Sequence, residues 1–356
     1  MISLAPGPSA LYFTVIDHTR RAFRDGIPSM SHRSKEFEFI FREVDQGLRQ
    51  LLNIPDDFCI AFTSSATEVW ERSIQNLVSE TSFHLVNGAF SKRFFEISTQ
   101  LGRHATCLEA PAGSGFGEVL VPPGQELIGL TQNETSTGVT LPMTLIQSVR
   151  KASPESLLVV DAVSSLPYPV FDFSQVDSVF FSVQKGFGMP PGLGVWIFNE
   201  RCIERASALQ TKGKHIGTYH SLPSLASFAR KNQTPETPNT LAIYVLGKVI
   251  ADFLRRGIDT IRRETEYKST LLYQALDNHP VIRPFVRKPE DRSKTVITVA
   301  TDGHTSDLIT FLSKRGFQAG EGYGSFKSTQ VRIANFPAHS KEQYEALADA
   351  LAEFKK

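Results

Sequence analysis

The sequence predicts an α/β protein in which a larger part forms a helix-covered, mainly parallel sheet and a C-terminal part forms a smaller α/β unit. Between residues 58 and 200, short apolar runs alternate with amphipathic stretches, as in strands joined by helices. Two of these runs, residues 157–160 and 179–183, are almost wholly apolar, which is typical of parallel strands covered on both faces. A similar alternation returns near the C-terminus and indicates the second unit.

The elements of the larger part follow in order. Strands are predicted at residues 59–62, 83–86, 127–130, 157–160, 179–183 and 195–198. Helices are predicted at residues 67–77, 91–101, 144–151 and 239–256. Because the first three helices lie between successive strands, the strands they join are expected to be parallel.

The smaller unit begins after the long helix at 239–256. It contains helices at 257–278 and 306–315, strands at 295–299 and 330–333, and a final helix at 341–356. Ser340 and Gln343 have the spacing of a capping box at the start of that helix. We therefore assign residues 15–256 to a large domain and residues 257–356, with residues 1–14, to a small one.

Composition restricts the possible functions. The 356 residues are 41% hydrophobic and 21% charged with a net charge of +1, so no nucleic acid or anionic membrane is expected as a partner. No segment approaches the roughly 20 apolar residues of a membrane helix, and no secretory signal is recognisable. Cys59, Cys107 and Cys202 lie far apart, which argues against disulfides or a metal site. A cytoplasmic protein is predicted.

Lys185 is the first candidate for chemistry. It follows a predicted buried strand and precedes a segment rich in glycine and proline, residues 186–194. Desolvation at such a position lowers the pKa of a lysine and makes its amine a nucleophile toward carbonyls. The alternative is a lysine whose ammonium reaches solvent at the strand end.

Other polar residues follow predicted strands, where ligands bind in open parallel sheets. Asp161 ends one buried strand and needs a cationic or hydrogen-bonding partner. Residues 63–67 open a helix with small hydroxyl side chains, which suits either a phosphate or a plain N-cap. Phe90 can cover a planar ring or pack in the core, and the polar residues 133–138 form a site or an ordinary loop.

A phosphate cup, an aromatic cover, a carboxylate for a ring nitrogen and a Schiff-base lysine together suit pyridoxal 5′-phosphate (PLP). These groups follow one another along the chain as residues 63–67, Phe90, residues 133–135, Asp161 and Lys185. The ordered set resembles fold-type-I PLP enzymes, and among them the class V aminotransferases. It is most similar to phosphoserine aminotransferases. The segments that carry this resemblance are Ala5–Pro8, Ser31–Phe37, Asn133–Thr135, Gln184–Lys185 and Thr237–Pro238.

The resemblance implies a large domain with a seven-stranded sheet and a homodimer with shared active sites. It implies that Lys185 forms the Schiff base and that Asp161 pairs with the ring nitrogen. The other residues implied in the site are Ser65, Ala66, Thr67 and Gln184 for the cofactor phosphate, Thr237 of a second subunit for that phosphate, Phe90 for stacking, Thr135 for the ring hydroxyl, Arg332 for the substrate carboxylate, and His32 and Arg33 for the substrate phosphate.

The implied reaction transfers an amino group from glutamate to 3-phosphohydroxypyruvate, a step of serine biosynthesis. Three departures from the family pattern bear on the substrate. The cup at residues 65–67 has no arginine, Glu236 replaces an asparagine, and a second His-Arg pair expected before Arg332 is absent. Tyr323 or Lys327 is a candidate replacement for that pair.

The departures leave open a second class V reaction, a serine– or alanine–glyoxylate type aminotransferase with an acceptor that has no phosphate. A cysteine desulfurase is rejected because all three cysteines lie beside predicted strands. A PLP-fold binding protein is expected to lack Lys185 or Asp161, and both are present. The glycine-rich residues 113–117 do not join a strand to a helix as a nucleotide loop does.

Overall fold

The structure is a computed structural model that describes residues 1–355. Its strands are β1 Ile2–Leu4, β2 Cys59–Thr63, β3 Thr81–Val86, β4 His104–Glu109, β5 Leu127–Thr131, β6 Asn133–Glu134, β7 Val139–Thr140, β8 Leu157–Asp161, β9 Ser178–Ser182, β10 Gly194–Phe198, β11 Arg283–Pro284, β12 Val296–Ala300, β13 Phe317–Glu321 and β14 Gln330–Ala334.

The helices surround these strands. They are α1 Val15–Arg24, α2 Lys35–Leu52, α3 Ala66–Leu77, α4 Ala89–Gln100, α5 Met143–Ala152, α6 Glu200–Thr211, α7 Leu222–Ala229, α8 Thr240–Arg256, α9 Ile258–Asp277, α10 Thr305–Lys314 and α11 Lys341–Glu353. No helix of residues 1–355 combines the length and the apolar composition that crossing a membrane requires.

The large sheet confirms the predicted fold class. Its seven strands lie in the order β2-β10-β9-β8-β5-β3-β4. Only β10 runs antiparallel to its neighbours, whereas β9, β8, β5, β3 and β4 are mutually parallel. Two apolar clusters cover the two faces of the sheet, as the apolar β8 and β9 require.

The direction of β10 explains the segment that carries Lys185. Gly194 pairs with Ser182, so the chain leaves β9 and returns along it without a crossover helix. Residues 183–193 are therefore a hairpin connection at the carboxyl end of β9. The sequence predicted the strand, but its direction depends on this return, which the apolar pattern of the strand does not encode.

A second sheet has the order β1-β13-β14-β12-β11 and its own apolar cluster. The N-terminal strand β1 pairs in parallel with β13, so the start of the chain joins the sheet formed by strands from residues 283–334. The domain boundaries given above remain a prediction.

Helix α11 begins with the capping box predicted from Ser340 and Gln343 and ends at Glu353; Lys356, the end of the predicted helix, lies outside the described residues. The elements that were not predicted are α1, α2, α6, α7, β4 and β13, together with the short strands β1, β6, β7 and β11. Helix α2 is the largest omission, with 18 residues and eight buried positions.

Candidate active site

A cavity of about 220 Å³ lies at the carboxyl ends of β5, β8 and β9. Parallel strands end together at this edge, because Thr131 pairs with Asp161 and Asp161 pairs with Phe180. The sequence-predicted site residues that line the cavity are Ser65, Ala66, Thr67, Phe90, Thr135, Asp161, Gln184, Lys185 and Arg332. Contributions from both sheets therefore meet in one pocket.

Lys185 points into this pocket and is 6% exposed. Its Nζ donates a hydrogen bond to Oγ1 of Thr135 at 2.9 Å and lies 5.1 Å from the centre of the Phe90 ring. Burial lowers the pKa of Lys185 to about 8, because the carboxylates of Asp161 and Glu134 offset only part of the desolvation. The amine is therefore available as a nucleophile near neutral pH.

Asp161 is buried at the end of β8 with both carboxylate oxygens engaged. The Val163 amide donates to Oδ1 at 2.8 Å and the Trp70 indole donates to Oδ2 at 3.0 Å. Burial raises the pKa of Asp161 to about 6, although these hydrogen bonds and the charge of Lys185 act in the opposite direction. Such a carboxylate, held in a fixed direction, can accept a proton shared with a ligand nitrogen.

The first turn of α3 forms another wall of the pocket. Ser65 is the N-cap and accepts from the Glu68 amide at 3.2 Å, while the Ala66 amide donates to Oγ of Ser182 at 2.9 Å. Within residues 1–355 these bonds leave the Thr67 amide as a first-turn N–H without a protein acceptor. The N-terminal end of a helix with a free amide and hydroxyl groups favours an anion.

Phe90 is placed by the start of α4. The buried Glu134 accepts hydrogen bonds from the amides of Phe90 at 3.3 Å and Ser91 at 2.8 Å. A carboxylate at the N-terminus of a helix interacts favourably with the helix dipole. A Cβ at Gly88 would lie 2.4 Å from Cγ of Glu134, so the close approach requires glycine there. Glu134, in the short hairpin of β6 and β7, thus fixes the aromatic wall of the pocket.

Arg332 of β14 reaches the pocket from the small sheet. Its Nε donates to the Glu321 carbonyl at 2.8 Å, and its Nη1 donates to the Thr135 carbonyl at 3.3 Å. Its guanidinium lies 5.4 Å from the ring centre of Tyr323, which also lines the pocket. Of the two candidate replacements for the absent His-Arg pair, Lys327 is exposed and pairs with Glu321 at 3.1 Å.

His32, Arg33 and Thr237 do not line the Lys185 pocket of their own chain. Arg33 instead donates to the backbone carbonyls of Thr234 at 2.7 Å and Pro235 at 3.2 Å. Thr237 lines a neighbouring cavity of about 440 Å³ that also contains Ser65 and Thr67. The roles implied for these three residues remain predictions.

Three residues that shape the site escaped the sequence analysis as site residues: Trp70, Gly7 and Glu134. Trp70 and Gly7 line the pocket, and a Cβ at Gly7 would lie 2.8 Å from Cε of Lys185. Gly7 lies in the segment Ala5–Pro8, which carries the family resemblance, and Glu134 lies in the polar segment 133–138, but neither sequence feature indicates a contact in the pocket. No local pattern shows that the Trp70 indole meets Asp161, because 91 positions separate them.

The pocket also contains polar atoms that the protein leaves unpaired. Oε1 of Gln184 and Oγ1 of Thr131 are buried without a hydrogen-bond partner in the described chain, and both residues line the cavity. Buried polar groups normally have partners, so these two atoms fit a polar ligand. With the nucleophilic amine, buried carboxylate, aromatic wall and anion-binding turn, the pocket fits a planar ligand that has a carbonyl, a basic nitrogen and a phosphate.

Comparisons with known proteins agree with a pocket for such a ligand. Residues 117–333 match the sequence profile of the family Aminotransferase class-V. The crystal structure of a phosphoserine aminotransferase from Cytophaga hutchinsonii superimposes with a TM-score of 0.97 at 48% identity, over 99% of this chain and 98% of that chain. A phosphoserine aminotransferase of Nocardioides sp. is 28% identical over 97% of this chain and 93% of its own length.

A more distant structure shares the fold alone. The PLP-bound phosphoserine aminotransferase of Trichomonas vaginalis has a TM-score of 0.79 at 20% identity, covering 98% of this chain and 97% of that one.

Proposed function

The chain belongs to the class-V aminotransferase family, and on that premise we propose that it is a PLP-dependent phosphoserine-type aminotransferase. It transfers the amino group of glutamate to 3-phosphohydroxypyruvate, as a step of serine biosynthesis in the cytoplasm. The observation that carries the proposal is the buried Lys185 amine beside Asp161 in a pocket closed by Arg332. The relatives named phosphoserine aminotransferase support the choice of substrate.

The side chains of the pocket fit PLP, independently of the comparisons with known proteins. When bound, PLP supplies an aldehyde that captures amines and a ring that accepts electrons from the substrate α-carbon. Lys185 would hold the aldehyde and, once the substrate amine has displaced it, its free amine would move a proton at the substrate α-carbon. Asp161 would hold a proton at the ring nitrogen, and the first turn of α3 with the side-chain N–H groups of Gln184 would bind the phosphate.

The remaining pocket residues orient the ligands. Phe90 would stack on the ring, and Thr135, which accepts a hydrogen bond from Lys185, would bond the ring hydroxyl. Arg332 binds the substrate carboxylate through its planar fork of donors. We assign the substrate phosphate to His32 and Arg33 and part of the cofactor phosphate site to Thr237, all from the second subunit of a homodimer.

A second candidate is a glyoxylate-type aminotransferase whose acceptor has no phosphate. Two cations that could bind a substrate phosphate already have protein partners, which favours this candidate. Lys327 is paired with Glu321, and Arg33 donates to backbone carbonyls of its own chain. Neither lines the Lys185 pocket in the single chain.

A panel of keto acids separates the two candidates. The protein is first converted to its amino form with glutamate, and the acceptor is then varied between 3-phosphohydroxypyruvate, hydroxypyruvate, pyruvate and glyoxylate. We expect the phosphorylated acceptor to restore the aldehyde form fastest. Faster reoxidation by glyoxylate or hydroxypyruvate contradicts the phosphoserine-type assignment while leaving the aminotransferase intact.

The role of Lys185 has its own test. Lys185→Ala should lose activity by between about a hundredfold and ten-thousandfold, the usual contribution of a positioned acid/base. It should also lose the visible absorbance of covalently held cofactor. The exposed Lys151→Ala is the matched control and should keep both. Turnover and absorbance that survive in Lys185→Ala exclude this assignment.

A further inference from the structure

His220 lies buried between two carboxylates, outside the Lys185 pocket. Its Nδ1 contacts Oε1 of Glu68, and its Nε2 lies 3.1 Å from Oε2 of Glu236, an ion-pair distance without hydrogen-bond alignment. The residue is 4% exposed. Its two partners come from different segments, the first turn of α3 and the loop before α8. His220 therefore joins this loop to α3.

The loop before α8 is also held from its other side. Arg33 donates to the Thr234 and Pro235 carbonyls and to Oε1 of Gln233 at 3.1 Å, and its guanidinium lies 4.8 Å from the Phe228 ring centre. The next residues are Glu236 and Thr237. The turn that carries Thr237 is thus clamped between Arg33 and His220.

The charges around His220 favour its protonated form. Burial alone lowers the pKa of His220, but Glu236 and Glu68 together outweigh it and raise the pKa to about 9. Burial raises the pKa of Glu68, yet His220 and Ser64 lower it to about 2. The other charged or titratable groups around the cluster are Glu71, Arg72, Tyr219, His32 and Arg33.

This arrangement accounts for Glu236, a carboxylate next to Thr237, which is assigned to the cofactor phosphate. Glu236 lines the same cavity as Ser65 and Thr67, the residues assigned to the cofactor phosphate. An uncompensated carboxylate there would repel the phosphate dianion. An imidazolium at 3.1 Å compensates it.

We infer that His220 is a positioning residue for the cofactor phosphate. As an imidazolium it fixes the Glu236–Thr237 turn and compensates the charge of Glu236, which would otherwise repel the phosphate that the adjacent Thr237 is assigned to bind. The inference rests on the proposed function, because it requires that PLP be the ligand.

The pH dependence has a defined sign. The folded pKa of His220 lies above its ordinary value of 6.5, so its contribution is fully present below 6.5 and is lost as pH rises through about 9. The phosphate dianion is already formed above pH of about 7 and does not change in this range. Phosphate binding should therefore weaken between pH 8 and 10.

The test compares PLP with pyridoxal, which has the same aldehyde and ring but no phosphate. Both bind covalently to Lys185, so the dissociation constant of pyridoxal divided by that of PLP cancels the titration of that amine and reports on the phosphate alone. Weaker phosphate binding lowers this ratio. In the full-length protein freed of cofactor, we expect this ratio to be constant from pH 7 to 8. It should fall about tenfold by pH 10, when Glu236 loses its counter-charge.

Variants of His220 and Glu236, the two ends of the contact, form a double-mutant cycle. His220→Gln should lower the ratio about tenfold at pH 7.5 and abolish its pH dependence, whereas Glu236→Gln should keep the ratio high at every pH. The double variant His220→Gln with Glu236→Gln should recover the ratio, because no charge is left to compensate. The exposed His215→Gln is the matched control and should behave as the unchanged protein.

The outcomes are separable. A ratio that is independent of pH and unaffected by Glu236→Gln overturns the inference, as does equal weakening of PLP and pyridoxal in His220→Gln. If His220→Gln does not fold, the pH series and Glu236→Gln still decide. A protein that binds neither PLP nor pyridoxal overturns the proposed function instead.

Discussion

At the scale of single residues, the properties of the Lys185 amine come from what surrounds it. Burial supplies the lowered pKa, Thr135 supplies a hydrogen bond at 2.9 Å, and the ring of Phe90 covers one side. None of these is a property of lysine itself. The reactive group is therefore a product of the fold at the end of β9.

The pKa of Lys185 predicts how cofactor capture depends on pH. Only a neutral amine attacks an aldehyde, and the pKa of about 8 lies below the ordinary 10.5. In cofactor-free protein the rate constant for PLP capture should rise about tenfold per pH unit below 8 and level off above it. Stopped-flow absorbance measures this directly. A rate that keeps rising beyond pH 9 would show that the amine is not desolvated.

Gly7 gives a steric prediction at the same scale. A Cβ at Gly7 would lie 2.8 Å from Cε of Lys185, and the neighbouring Ser9 amide is tied to the Gln184 carbonyl at 3.0 Å. Because the backbone is held, Gly7→Ala should displace the lysine and reduce turnover by tenfold to about a hundredfold.

The matched control is Gly117→Ala, where a Cβ has no neighbour within 4 Å. Both variants should melt close to the unchanged protein, so differential scanning calorimetry and kcat together separate misplacement from unfolding. Equal turnover in the two variants is inconsistent with a lysine held against Gly7.

At the scale of elements, the start of α4 depends on a carboxylate from a two-residue strand. Glu134 accepts from the Phe90 and Ser91 amides and also contacts Oγ of Ser136 at 2.6 Å. Glu134→Gln keeps the shape but removes the charge, and should lower the free energy of unfolding by about 1–3 kcal/mol. Urea unfolding measures the loss.

The same substitution tests the electrostatics of the pocket. The charge of Glu134 raises the pKa of Lys185, so Glu134→Gln should move the pH profile of PLP capture to lower pH. The exposed Glu118→Gln is the control and should change neither stability nor profile. An unaltered profile in Glu134→Gln means that the two charges do not interact.

The elements that could be predicted from the sequence are those marked by a pattern of neighbouring residues. The strands that deliver Asp161 and Lys185 are short apolar runs: Asp161 directly follows the run 157–160, and Lys185 lies two positions after the run 179–183. Contacts between distant positions could not be predicted, because no local pattern encodes them: Trp70 with Asp161, Gly7 with Lys185, and His220 with Glu236 are of this kind.

At the scale of the whole molecule, the placement of His32 predicts shared active sites. His32 does not line the Lys185 pocket of its own chain, so in a homodimer it should serve the site of the other subunit. His32→Ala and Lys185→Ala homodimers should each lose most of their activity with the phosphorylated acceptor.

Mixing the two variants under conditions that exchange subunits tests this. Random reassociation makes half of the dimers mixed, and each mixed dimer has one site with both lesions and one intact site, so about a quarter of the activity should return. No recovery, or an active His32→Ala homodimer, contradicts the sharing. Size-exclusion chromatography confirms that the variants are dimers before they are mixed.

The hairpin between β9 and β10 sets limits for anyone who re-engineers this enzyme. Its two ends are paired at Ser182 and Gly194 on two interior strands of the large sheet, so the position of Lys185 depends on the number of residues between them. Insertions or deletions there would move the amine out of register, whereas residues 322–327 include Tyr323 of the pocket and lie outside that hairpin. A library for new keto acids should vary residues 322–327 and leave the length of the hairpin unchanged.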